Sequence, residues 1–377
     1  MILGVMSPDA SWVRLRDGEV VAVAQAEHGL VRCEVLVDGE RGAAIAYPAL
    51  VGTPRVGDRI TLNTTARHLG LGTGGVDLIV AIGGRGPGDP PETSRGVKAR
   101  YTPLQASVPL VEETHADVMR GATDLTGLPV VAAPLHSLVG PIAAGARAAG
   151  AGRVVYVMTD GAALPLPFSD LVGDLRRAGL IDATVTTGQA FGGDHEAVTL
   201  WSGLLAASAV CGADVAIVCD GPGNLGTDTT WGVSALGSGL ALNAAGLLGG
   251  RPVAALRISF ADPRERHRGL SHHSRTILGS VCASEVDVAV PVLPDEQRTA
   301  IWDALRAARL EERHRLVEAD GRPGIAGLEA AGVAVRSMGR APADDPAFFL
   351  AGGAAGVLAA RMAAGGRRWR PDLTSGR

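Results

Sequence analysis

The 377 residues carry 35 Lys and Arg against 39 Asp and Glu, a formal net charge of -4, with 46% hydrophobic and 20% charged residues. That balance excludes a disordered tail, and without any Lys/Arg-rich block it offers no extended surface for a phosphate backbone, so nucleic acid is not an expected partner. The start, MILGVMSPDASW, has no positive segment leading into an apolar one, and no later stretch offers about 18 uninterrupted apolar residues, so neither export nor a membrane partner is expected.

Cys33, Cys211, Cys219 and Cys282 are scattered without CxxC spacing, which suits buried small hydrophobes in a reducing, cytoplasmic setting and gives no thiolate zinc signature. The length suits two domains. Between Trp12 and about Val80 the chain alternates in short runs, 19–26, 31–37 and 59–63, punctuated by Asp17-Gly18, Asp38-Gly39 and Gly57-Asp58. This predicts a small β-barrel or β-sandwich over 1–82. The Gly-rich run 67–75 reads as a turn between strands. GRGPGDPP at 84–91 can continue neither a ladder nor a helix, so the linker falls at 83–102.

From 103 to 365 apolar runs alternate with helical stretches, which predicts an α/β domain around a mostly parallel open sheet with flanking helices, ending before a disordered tail at 366–377. Strands are expected over 128–135, 153–159, 183–188, 214–219, 252–259 and 286–293, with a further one at 333–337. Helices are expected over 139–149, 170–178, 196–210, 233–247, 271–283, 295–318 and 346–363.

Ligands in such sheets bind outside the carboxyl ends of the strands. The ends here carry His136-Ser137, Thr159-Asp160-Gly161, Gln189 with Gly192-Gly193-Asp194-His195, Asp220-Gly221, and Ser259 with Asp262. In DGPGNLGTDTTW, the backbone around Gly223, Asn224 and Gly226 would approach an anion while Thr227, Thr229 and Thr230 add hydroxyls. The plain alternative is a Gly-rich turn with a capping Thr. It matches neither a P-loop nor a dinucleotide fingerprint. Residues 257–275, RISFADPRERHRGLSHHSR, hold five arginines and three histidines: Arg264 and Arg266 suit gripping a carboxylate or phosphate, and His267, His272 and His273 suit proton transfer or metal binding. Neighbouring histidines on a helix face different ways, which sets His272 against His273 as partners in one site; the plain alternative has Ser271 capping a helix. A serine nucleophile at Ser137 lacks a GxSxG elbow.

A divalent metal would draw on Asp194, His195 and Asp262, although Asp194 also reads as an N-cap and Glu196 as a helix-dipole partner, and no HExxH spacing fixes a site. The catalytic candidates are Asp160, Asp220, His195 and His267. They suit a hydrolase or transferase acting on a small anionic, phosphorylated or nucleotide-like substrate. The alternatives are a noncatalytic metabolite sensor using the same loops, and a homo-oligomer in which the Arg/His segment is an interface.

TPLQ (102–105), LHS, MTDGAALP, GQAFGGDHEAV, GPGNLGTDTTWG, RISFADPRERHRGLSHH and SMGRAPADDPAFF together resemble the DUF3866 family of uncharacterised bacterial proteins, over nearly the whole chain. That family pattern has Gly at the place of Asp228 and a different lead into RYTP at Arg100. Here an anion near Asp228 would meet an extra negative charge. The resemblance implies no activity, cofactor or catalytic residue.

Overall fold

The structure is a computed structural model that describes residues 11–24, 26–71, 75–90, 94–227 and 229–366. The centre of the Gly-rich run 67–75, Asp228, and nearly all of the expected tail lie outside the described residues. The chain divides into two compact units: the described residues up to Pro90 with Thr102–Ala106, and those of 94–101 with everything from Ser107 onward.

The first unit is a closed five-stranded barrel of β1 (Leu15–Val23), β2 (Val31–Val37), β3 (Glu40–Ala46), β4 (Arg59–Asn63) and β5 (Val76–Ile82), in the order β1-β2-β3-β5-β4. Period-2 alternation turns Val31, Cys33, Val35 and Val37 inward, where they pack with Val20, Ile60, Leu62 and Ile79. Asp38 and Gly39 take φ of 51° and 83°, the two left-handed residues that a two-residue hairpin between β2 and β3 requires.

The second unit is built on eight parallel strands: β6 (Pro129–Ala132), β7 (Val154–Thr159), β8 (Ala183–Thr187), β9 (His195–Ala197), β10 (Val215–Asp220), β11 (Arg251–Ala255), β12 (Asp287–Pro291) and β13 (Arg315–Ala319). Their order across the sheet is β9-β8-β7-β10-β6-β11-β12-β13. The strands are near-continuous apolar runs because both faces are covered. Alternate residues serve two cores. Val155, Val157, Ala216 and Val218 pack with the helices Leu200–Ala209 and Gly237–Leu247 on one face; Tyr156, Met158, Ile217 and Cys219 pack with Val139–Ala148 and Pro346–Ala364 on the other. The last of these helices is long and apolar enough to cross a membrane, but 78% of its most apolar window is buried inside this fold. It lies close to Val139–Ala148 because glycines face it: a Cβ on Gly356 would run into the Ile142 carbonyl oxygen.

Several elements differ from the sequence expectation. Residues 195–197 are the edge strand β9 rather than a helix start, and the helix begins at Leu200 behind a Thr199–Ser202 capping box. The expected helix over 295–318 stops at Ala307; Arg309 takes φ of 53°, and the chain re-enters the sheet as β13. Arg315, which falls within that expected helix, pairs instead with Asp287 on the neighbouring strand at 2.7 Å. Residues 333–337 form no sheet strand. The run 252–259 splits into β11 and a short antiparallel pair, Ile258–Ser259 with Gly269–Leu270. Beyond it a brief α-turn (His272–Thr276) passes into a π-helical turn (Ile277–Val281).

Candidate functional site

β6 and β10 are adjacent, yet the chain leaves them toward opposite faces: through Val139–Ala148 to β7 from one, and through Gly237–Leu247 to β11 from the other. Diverging connections open a crevice at the carboxyl ends of those strands, the switch point where doubly wound sheets bind ligands. A cavity of about 500 Å³ lies there. It is walled by the ends of β6, β10 and β11, the start of the helix Asp170–Arg177 and the segment 336–338.

One wall is cationic. The pair Ile258–Ser259 and Gly269–Leu270 folds the chain back, so that Ser271 N–H meets the Arg257 carbonyl and Arg257 N–H meets Ser274 Oγ at 2.9 Å. Ser271 caps the turn that follows by accepting from His273 N–H at 3.2 Å, as the plain sequence reading has it. Among the described residues, Arg257, Arg264, Arg266 and Arg336 line the cavity against a single carboxylate, Asp170. The buried Asp262 stands behind them. It accepts from Arg264 Nε at 2.9 Å and Nη2 at 2.8 Å, and lies 3.5 Å from Arg257 and 3.7 Å from Arg340. Hydrogen bonds from Arg264 hold its carboxyl well below the usual carboxylate range. Burial, with Arg264 beside it, lowers Arg257 to about 10, which leaves it charged at neutral pH.

His267, His272 and His273 form one cluster, with ring centroids 4.3 to 4.9 Å apart and one ring nitrogen of each within 4.8 Å of the others. The expectation that His272 and His273 face apart is therefore corrected. They occupy the first two positions of a five-residue helix, and His267 lies against both rings. Burial, then Arg257, pushes His267 and His273 down to about 3; burial, then Arg266, lowers His272. All three are neutral at pH 7, the form a metal requires. However, Arg257 Nη1 donates to His273 Nδ1 at 3.2 Å, which places that ring's proton on Nε2. A donor ring among guanidinium groups is suited to an anion more than to a cation.

The facing wall is the loop after β10. Gly223, Asn224, Gly226 and Thr227 line the cavity. Thr229 braces the loop from within, since its hydroxyl meets Thr227 Oγ1 at 2.8 Å and accepts from Gly232 N–H at 3.1 Å. Asp220 sits behind this wall. Its carboxylate accepts from Thr159 Oγ1 at 2.6 Å and Gly161 N–H at 3.0 Å, and Asn224 Nδ2 donates to it at 3.3 Å, so it positions Asn224; burial raises its pKa.

At the third wall, His136 Nε2 is 2.7 Å from Ser169 Oγ, and Nδ1 is 3.1 Å from the Asp220 carbonyl oxygen and 3.2 Å from the Tyr156 hydroxyl. Both His136 and Ser169 are buried and border the cavity. Ser169 also caps the helix Asp170–Arg177 by accepting from Val172 N–H at 3.1 Å. Ser137 caps nothing; it donates to Ser337 Oγ.

The remaining sequence candidates lie outside the cavity lining. Asp160 accepts from Gln189 N–H at 2.8 Å. Asp194 is held by Thr184 N–H and Oγ1, at 2.9 and 3.0 Å, and by Arg176 at 2.8 Å. His195, on the edge strand, stacks edge-on to His115 at 5.2 Å. Glu196, expected at a helix start, lies in β9 and pairs with the buried Lys98 at 3.4 Å. The metal candidates Asp194, His195 and Asp262 thus do not come together in one ligand set, while among the described residues the histidine trio does. Sequence reasoning passed over Ser169, whose only signal is a serine one place before a helix, and Arg336, which fell inside the expected strand 333–337.

The pattern of a family described as a protein of unknown function, DUF3866, matches residues 43–356. No curated protein matches the chain.

Proposed function

The chain belongs to the DUF3866 family, whose description carries no activity, and from the geometry of the cavity we propose that it is an enzyme, a hydrolase or transferase, acting on a small anionic, phosphorylated substrate of up to nucleotide size. The observation that carries this reading is the convergence of Arg257, Arg264, Arg266 and Arg336 with His267, His273 and Asn224 on one cavity of about 500 Å³, within the range that holds small molecules. Planar guanidinium forks match phosphate oxygens two at a time, and neutral imidazole and amide N–H groups add donors without further charge. Apolar Phe168, Leu171 and Val233 on the same cavity suit the body of a ligand whose head is anionic.

Catalysis is favoured over mere sensing because the cavity gathers groups held far from their ordinary protonation behaviour, His136, His267 and His273 among them. One observation favours a sensor: His267, pushed to about 3, is a weak base at neutral pH and serves better as a fixed hydrogen-bond partner. Incubation of the full chain with a panel of phosphate monoesters and nucleotides, with released products followed by chromatography, separates the two. Turnover of at least one, lost in Arg264→Ala, supports the enzyme; saturable binding of the panel with no product formed supports the sensor.

A further inference from the structure

Ser169 and His136 form a hydrogen-bonded pair that ends at the cavity, and the donors and acceptors around the imidazole fix its proton. Nδ1 lies 3.1 Å from the Asp220 carbonyl oxygen, which can only accept. The Tyr156 hydroxyl, also near Nδ1, has the Cys219 and Asp220 carbonyl oxygens as acceptors at 3.2 and 3.1 Å, so its own proton is taken up there. The imidazole proton therefore sits on Nδ1 and Nε2 presents its lone pair. Ser169, 2.7 Å away, donates its hydroxyl proton to that lone pair. A hydroxyl, a base within 2.6–3.2 Å of it and a third group orienting the base is the arrangement that activates a serine. Here a main-chain carbonyl takes the orienting place that a carboxylate holds in the better-known triads.

We propose that Ser169 is the nucleophile of a phosphoryl transfer in which His136 is the base, with the arginines of the cavity holding the phosphoryl oxygens. This rests on the reading of the cavity as an anion site. Ser169 Oγ attacks the phosphorus of a phosphate monoester as its proton passes to His136 Nε2; the bond from phosphorus to the ester oxygen breaks, and the departing alcohol takes that proton back. Water, the co-reactant, then adds to the phosphoserine and releases inorganic phosphate with Ser169 restored. Oxygen developing negative charge on Ser169 is met by the Val172 N–H at the start of an eight-residue helix. Burial holds His136 near 4, so the resting imidazole is neutral with its lone pair free but is a weak base; a phosphate dianion nearby favours its protonated form and raises its basicity when substrate is bound. The buried Tyr156 keeps the ring in place from its far side.

The full-length protein is incubated with 4-nitrophenyl phosphate and quenched in acid, and separately with an alkyl fluorophosphonate, and modified peptides are mapped by mass spectrometry. The expected result is a phosphoryl group and a phosphonyl group on Ser169. Both are absent in Ser169→Asn, which keeps an N-cap acceptor and so the helix, and the rate of labelling drops roughly a hundredfold or more in His136→Asn. Inorganic phosphate still raises the melting temperature of Ser169→Asn, which keeps loss of the nucleophile distinct from loss of the anion site. Modification on another residue, or no modification while inorganic phosphate still binds, overturns the assignment of Ser169. Acylation of Ser169 by 4-nitrophenyl acetate without phosphorylation overturns the phosphoryl chemistry, and loss of phosphate binding in the unmodified protein overturns the anion reading beneath it.

Discussion

Asp262 sets the charge of the cationic wall. It is buried, with Arg257 at 3.5 Å and Arg264 at 2.8 Å, and Arg257 is itself only 5% exposed. Removing the carboxylate strands a buried guanidinium, whereas removing Arg264, whose side chain is 39% exposed, leaves the carboxylate two other partners. Asp262→Ala is therefore expected to lose about 3 kcal/mol of stability and Arg264→Ala under about 1 kcal/mol, measured by urea unfolding. The two reverse in ligand affinity. Arg264→Ala weakens anion binding about tenfold to a hundredfold, the worth of one or two charge-assisted hydrogen bonds.

At the scale of elements, residue density within one segment was legible in the sequence, and adjacency between segments was not. Five arginines and three histidines in 257–275 announced the cationic wall, because a single hairpin and cap fold that segment on itself. Asp160 and His195 looked equivalent to Asp220, since each follows or opens an apolar strand. The order β9-β8-β7-β10-β6-β11 separates them: the crevice opens around β10, β6 and β11, while His195 lies on the outermost strand. Nothing in local periodicity states that order. Ser169 was hidden for another reason, because a capping serine and a nucleophilic one have the same local sequence. β13 was missed because a strand with Arg and Glu on it reads as a charged helix face until Asp287 is known to be its neighbour. Helix packing beneath the cavity depends on glycine: Gly356→Leu, placing a side chain against the Ile142 carbonyl, is expected to cost about 3 kcal/mol and to lower the thermal midpoint by several degrees, while ligand affinity of the folded fraction is kept.

For the whole molecule, pH is the strongest lever. Six of nine histidines are held below their ordinary pKa, with His136 at about 4 and His267 and His273 at about 3. A depressed folded pKa means that the unfolded chain binds the proton first, so stability is present above about pH 6.5 and is lost as the pH falls toward those lower values. The three strongly shifted rings add to that slope within the window, His136 by itself and His267 with His273 as a coupled pair. Asp220 and Glu196, whose burial raises them, pull the other way, so the net slope is smaller. Urea midpoints measured from pH 7 to pH 4 are expected to fall steadily, and the fall is shallower in His267→Gln. A flat profile would remove the buried neutral histidines from the account.

The central claim is that the crevice at β6, β10 and β11 holds an anion, and thermal unfolding of the purified protein against inorganic phosphate, nucleotides, sugar phosphates and small carboxylates tests it most directly. A ligand at a hundred times its dissociation constant adds about 2.7 kcal/mol to the native state. The account predicts a saturable rise in the melting temperature with phosphate-bearing ligands, reduced in Arg264→Ala and in Arg266→Ala at unchanged fold. No rise with any anion, or a rise in both variants as large as in the unmodified protein, would contradict it.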